Sequence, residues 1–210
     1  YVYDTNNNLI SETEDYDADG IVDNKSIYKY IQIDQESETN NEDRLSLADV
    51  HRFYQHEKGF HLYTIDSNEI KHIKQKSNIL EMAYEYEAEK YQVLADNKDL
   101  VTGETIEGVK PLYRFFNNDT GAHLYTMDLN EKKSIEANLP NYDFEGIKYY
   151  AFEFEPENLE TIPVYRMLNN QSQAHLFSSD NNEISSIQKS SSLDFSMEND
   201  GNAVFYVVEL

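Results

Sequence analysis

Apolar and polar residues alternate in short runs along most of this chain, and one run, with its polar punctuation, occurs three times. It reads VHRFYQHEKGFHLYTID from Val50, LYRFFNNDTGAHLYTMD from Leu112 and VYRMLNNQSQAHLFSSD from Val164. Arg52, Arg114 and Arg166 correspond, as do His61, His123 and His175, and then Tyr63, Tyr125 and Phe177. Alternation of period two on either side of a polar break predicts two strands joined by a tight turn. Gly59 and Gly121 sit just before the histidine, where a positive φ closes a short loop. The third copy carries Gln173 there, which predicts a different turn.

Each phrase runs on into the same sequel. Asp66 with Glu69, Asp128 with Glu131 and Asp180 with Glu183 have the spacing of a helix N-cap and its reciprocal partner. Ile70 with Ile73, and Ile184 with Ile187, predict a short helix packed on one face. The middle copy has Ile135 alone, with Lys132 and Lys133 where an apolar residue would sit. An aromatic strand pair is expected to close each repeat: 84–86 with 91–93, 142–144 with 149–152, and Phe195 with 204–208. Glu145-Gly146 and Asp200-Gly201 supply turn chemistry between the members of the last two pairs.

Three units of four strands can be arranged in few ways. A propeller needs at least about four blades, and a solenoid needs polar caps that neither end supplies. Closure around a pseudo-threefold axis leaves no open strand edge. The expected fold class is therefore mainly β: a β-trefoil-like domain of three pseudo-repeats over 49–210, with short helical inserts. The repeats lie near 50–95, 111–155 and 163–210, with Pro111 and Pro163 punctuating the boundaries. The stretch 95–110, rich in Asp, Thr and Gly, is expected to be a surface loop.

Composition narrows the functions. The 210 residues carry 40 Asp and Glu against 17 Lys and Arg, a net charge of −23, so phosphate backbones and anionic membranes repel the chain. Nucleic acid is excluded as a partner on that ground, and no run of about 18 apolar residues exists to insert in a bilayer. With no cysteine there is no disulfide scaffold, thiolate metal site or cysteine nucleophile. Seventeen Tyr and ten Phe can furnish a core. The chain opens at Tyr1 with neither Met nor signal segment, and reads as a piece of a larger multidomain protein.

The string Tyr-Arg-Phe-Phe-Asn, then Thr-Gly-Ala-His-Leu-Tyr-Thr, over 113–126 resembles a repeat module of secreted bacterial proteins, a domain of unknown function considered trefoil-like. The third copy departs from it at Met167, Leu168 and Gln173. Such modules sit beside hydrolase, adhesin or peptidoglycan-associated domains. The resemblance implies an extracellular or bacterial cell-surface location and attachment to a surface or polymer.

Residues 1–33 differ and are expected to form a β-hairpin appendage. Tyr1-Val-Tyr-Asp4-Thr-Asn-Asn-Asn8 resembles the YD repeats of large bacterial surface and toxin proteins, and 26–33 alternate as a strand. Between them stands Asp15-x-Asp17-x-Asp19-Gly20-Ile21-x-Asp23. Alternate carboxylates with Gly at the sixth place can wrap a loop around Ca²⁺. Asp15, Asp17 and Asp19 would ligate directly, Ile21 through its carbonyl, and Asp23 directly or through water. Ser26 stands where an EF-hand has a bidentate Glu, so the loop resembles those of adhesins and thrombospondin-type repeats, with affinity on the order of 10⁻⁴–10⁻³ M. The alternative is an acidic turn that needs no ion. Residues 34–48, polar and acidic, read as a flexible linker.

Two readings of the repeated Arg and His stand side by side. Arg114 and His123, with their counterparts, supply donors for a ligand beside a tyrosine face, or else tie neighbouring strands together around the core. The loop tips Asn117, Asn118 and Asp119, and Asn169 and Asn170, can offer amides and a carboxylate to sugar hydroxyls, or serve their own turns. No nucleophile elbow, zinc spacing or phosphate-cradling loop is present, and with 40 acids no glycosidase pair can be singled out. The expected function is a non-catalytic extracellular module that binds a cell-surface or polymeric glycan for adhesion or substrate targeting. The alternative is a protein-interaction or spacer domain of a large adhesin or toxin.

Overall fold

The computed structural model of the chain describes residues 2–3, 9–14, 24–27, 41–78, 83–190 and 192–210, of which 2–3, 9–14, 24–27, 41 and 77–78 are described as backbone alone. It divides into two units, 1–45 with 98–107, and 46–97 with 108–210. In the first unit β1 (Val2–Tyr3), β2 (Leu9–Glu14) and β3 (Asn24–Ile27) pair antiparallel in that order. Register runs from Ser11 opposite Ile27 to Glu14 opposite Asn24. The acidic set Asp15, Asp17, Asp19, Ile21 and Asp23 falls in sequence between β2 and β3 and lies outside the described residues, as do 34–40 of the expected linker. Residues Asn41–Arg44 form a turn of 3₁₀ helix. The insert is a built turn: Asp99 accepts from the backbone N–H of Val101 and Thr102 at 2.8 Å each and takes Arg44 at 2.6 Å.

In the second unit the threefold phrase folds the same way three times. Each copy opens with a hairpin: β4 (Leu47–Gln55) with β5 (Phe60–Thr64), β7 (Val109–Asn117) with β8 (His123–Thr126), and β10 (Ile162–Asn169) with β11 (His175–Ser178). The helices α1 (Ser67–Asn78), α2 (Leu129–Asn138) and α3 (Asn181–Lys189) follow where the Asp–Glu spacing predicts them. The expected closing pair is instead one long strand in two of the repeats, β6 (Tyr84–Leu94) and β9 (Tyr142–Phe152), each pairing back along the hairpin's first strand. Glu145-Gly146 makes a bulge within β9 rather than a turn, with Gly146 at φ 91, and Ala88 at φ 102 does the same in β6. A bulge adds twist without reversing the strand. In the third repeat the bulge is longer and splits the strand into β12 (Phe195–Met197) and β13 (Phe205–Val207).

These strands form one antiparallel sheet of ten, and the protein is mainly β. Adjacent repeats join through β13 with β9, and β9 with β6. The main core takes its residues in equivalent threes: Val50, Leu112 and Val164; Tyr63, Tyr125 and Phe177; Tyr91, Tyr149 and Phe205; Val93, Ala151 and Val207. Every helix covers the outer face of its own hairpin, as Ile73 does over Phe53 and Leu62, and Ile184 over Met167 and Leu176. In α2, Lys132 occupies the place of Ile70 and lays its ammonium 4.6 Å from the Phe144 ring centre, so an amphipathic stem replaces the missing apolar residue.

Candidate functional site

The sharpest chemistry in the second unit is a cycle of ion pairs that begins at the helix starts. Asp66, Asp128 and Asp180 cap their helices, each accepting from the two following N–H groups that its side chain can reach. The reciprocal half of the expected capping box does not form. The backbone N–H of each Asp donates instead to a hydroxyl two residues earlier, Thr64, Thr126 or Ser178, at 3.0–3.1 Å. That leaves Glu69, Glu131 and Glu183 free to turn outward from their own helices, and each meets the arginine of another repeat.

Arg52 engages Glu183 through both terminal nitrogens, at 2.9 and 2.6 Å. Arg114 does the same with Glu69 at 2.9 and 2.8 Å, and Arg166 reaches Glu131 at 3.0 Å. First pairs with third, second with first, third with second, so the cycle closes. In its own repeat each arginine also presents Nε to a carboxylate, Glu87 and Glu145 on the long strands and Glu198 just past β12, at 2.7, 2.5 and 2.7 Å. The matching histidine touches that same carboxylate: His61 at 3.4 Å, His123 at 3.4 Å and His175 at 3.1 Å. Burial opposes the charge on Arg52 and Arg114, but the facing carboxylates outweigh it and raise both guanidinium pKa values. Burial, reinforced by the adjacent guanidinium, lowers His61 and His123 to about 3. The carboxylate beside each ring is already committed to arginine, which is why it fails to draw a proton onto the imidazole.

Inside this cycle three aromatic rings meet edge to face, Tyr63, Tyr125 and Phe177, with centroids 5.6–5.9 Å apart. The Tyr63 hydroxyl donates to the Phe177 carbonyl and accepts from its N–H. The Tyr125 hydroxyl binds the Tyr63 backbone in the same way. Phe177 has no hydroxyl to return to Tyr125, and the Tyr125 carbonyl takes Arg166 Nη1 at 3.4 Å instead.

The second-to-third junction therefore differs from the other two. Only Nη1 of Arg166 binds Glu131, and Nη2 has no hydrogen-bond partner among the described residues. The Arg166 side chain is 15% exposed, where Arg52 and Arg114 are 4% and 3%. A cleft of about 150 Å³ opens here, walled by Phe177, Val204 and Phe205 and edged by Arg166, Glu131 and Asp128.

The loop tips are occupied by local bonds. Asn117 is buried, and its Oδ1 accepts from the N–H of Asp119 and Thr120; Asn169 does the same for Gln171 and Ser172. Asn118 and Asp119 are exposed, with Asp119 holding Asn141 at 3.0 Å. Exposed Asn170 donates to Asp194 and Ser196 at 2.8 Å each. The structure brings Arg114 and His123 together through Glu145, while the asparagines stay in the hairpin turns. Among the described residues no group of three or more His, Asp or Glu could hold a metal ion, and no helix is long and apolar enough to cross a membrane.

A family profile described as a domain of unknown function, DUF5648, matches residues 11–102 and again residues 49–206. The chain belongs to this family. The two matches overlap on the first repeat and the insert that follows it, and together they take in most of both units. No curated protein and no solved structure matches. Sequence reasoning missed the cleft of this DUF5648 protein, although its signal is printed in the repeats: Tyr, Tyr, Phe at 63, 125 and 177, and Lys, Lys, Val at 90, 148 and 204.

Proposed function

We propose that this protein is a non-catalytic, extracellular binding module of a bacterial surface or secreted protein, and that it recognises glycan for adhesion or substrate targeting. In this reading the three repeats form a β-trefoil-like body, and the residues 1–33 hold Ca²⁺ through Asp15, Asp17, Asp19, the Ile21 carbonyl and Asp23. The observation that carries it is the cleft at the second-to-third junction. It combines an apolar lining, Val204 and Met127 among it, with the partly exposed guanidinium of Arg166 and carboxylates on Glu131 and Asp128. A pyranose has this mixed demand: an apolar face and hydroxyls that both donate and accept.

A glycan array probed with the intact chain, with and without Ca²⁺, tests the proposal. Binding to a restricted set of glycans is expected. Silence on every glycan, together with a defined protein ligand isolated by pull-down, would replace it with the protein-interaction reading.

A further inference from the structure

The three junctions share one device, and the cleft lies where its third copy is incomplete. Between the first and third repeats the Tyr63 hydroxyl donates to the Phe177 carbonyl at 3.1 Å and accepts from the Phe177 N–H at 2.9 Å. Tyr125 engages the backbone of Tyr63 in the same way, at 3.1 and 2.9 Å. Completing the cycle would take a hydroxyl from residue 177 to the backbone of Tyr125, and a phenylalanine has none.

The backbone of Tyr125 is left open as a result. The Asn117 N–H bonds the Ala122 carbonyl at 2.9 Å. Counting by twos along β7 and β8 from that pair makes Phe115 with Leu124 a bonded pair, and leaves Arg114 with Tyr125 as the non-bonded pair beside it. The Tyr125 N–H and C=O therefore point away from β7, to the side from which Arg166 Nη1 reaches the carbonyl at 3.4 Å. The N–H has no partner among the described residues. Tyr125 and Phe177 are both buried, and both line the cleft. Because the Tyr125 ring runs to the first repeat, the part of Tyr125 at this junction is its backbone.

A buried donor without a partner favours any group that can meet it. A carboxylate cannot donate to the carbonyl, and an ammonium cannot accept from the N–H; a hydroxyl does both. A hydroxyl fixed directly to a sugar ring would have to bring the ring into a buried place with it. A hydroxymethyl oxygen stands one carbon further out and reaches in while the ring stays outside.

We propose that the cleft takes a neutral hexose unit by its hydroxymethyl arm, whose oxygen stands in for the missing tyrosine hydroxyl on the Tyr125 N–H and C=O. This rests on the glycan reading of the same cleft and narrows it to hexoses with a free 6-hydroxyl. The ring hydroxyls then meet Arg166, Glu131 and Asp128 at the edge of the cleft.

The test is an NMR titration of the intact chain with the methyl glycosides of glucose, galactose and mannose, and with the same three lacking the 6-hydroxyl. At least one parent glycoside is expected to move the Tyr125 amide proton downfield, and to bind at least about fivefold more tightly than its 6-deoxy counterpart. Phe177→Tyr supplies the missing hydroxyl from within; it is expected to melt higher than the parent chain and to lose the response. Should that variant fail to fold, the three pairs of glycosides on the parent chain decide alone. Equal binding of a parent glycoside and its 6-deoxy form overturns the inference and leaves the glycan reading standing, as does undiminished binding by a folded Phe177→Tyr. If all six leave Tyr125 unmoved, the open N–H holds water and the inference falls; the glycan array then decides whether the wider reading falls with it.

Discussion

His61 and His123 are held neutral by position rather than by chemistry of their own. Burial and the neighbouring guanidinium lower each to about 3, against an ordinary value of 6.5. A group that binds its proton more weakly folded than unfolded stabilises the fold fully above the unfolded value and loses that contribution as pH falls towards the folded one. Between pH 6.5 and 5 each histidine withdraws about 2 kcal/mol by this linkage. Glu183 adds to the loss at lower pH. Burial works against its charge, yet its bonds to Arg52 bring it down to about 2, so its contribution disappears between about 4.5 and 2. Melting temperature is therefore expected to fall steeply from pH 7 to 5, and a His61→Gln, His123→Gln double variant is expected to flatten that stretch. An unchanged slope in the variant would place the titrating groups elsewhere. The repeated Arg and His were visible in the sequence. Their commitment to Glu87 and Glu145 was not, because the partner carboxylates sit on a strand some thirty residues away and nothing local marks them out.

Helices, hairpins and turns were legible to different degrees. Asp caps placed all three helices, and isoleucine spacing supported the first and third, since capping and one-face packing are local rules. The capping box failed because Thr64, Thr126 and Ser178 compete for the same N–H from two residues away. The bulged strand β9 reads as a hairpin because a Gly with positive φ serves a turn and a bulge equally well, whereas in β6 the bulge falls on Ala88 and no residue type marks it. Gln173 shows the opposite error. It adopts φ 58, close to Gly59 at 70 and Gly121 at 76, and closes the same backbone bond to the fourth residue back. The turn is conserved in shape by the register of its hairpin, at a steric cost to the glutamine of about 1 kcal/mol. Gln173→Gly is expected to stabilise the protein by roughly that amount in denaturant unfolding, and Gly121→Ala to destabilise it, because an L side chain is strained at the positive φ of 76 that Gly121 adopts. If Gln173→Gly destabilised the protein, the strain assigned to this turn would be absent.

At the scale of the whole molecule, the threefold repeat foretold a core built in threes, and the equivalent quartets of core residues follow it. The candidate site was harder to read, because it consists of departures from the repeat rather than of the repeat itself. Phe177 looks like an ordinary apolar residue until its counterparts Tyr63 and Tyr125 are seen bonded through their hydroxyls to the backbone of a neighbouring repeat. Everything at that junction depends on the repeats closing into one body, and the contact that completes the cycle is Arg52 with Glu183, which joins the first repeat to the last. A double-mutant cycle of Arg52→Met and Glu183→Gln, read by denaturant unfolding, measures that contact. The two substitutions are expected to be coupled by about 1–3 kcal/mol, as for other contacting, partly buried ion pairs. Additive effects, within about 0.5 kcal/mol, would mean that Arg52 and Glu183 do not meet and that the cycle of ion pairs is open.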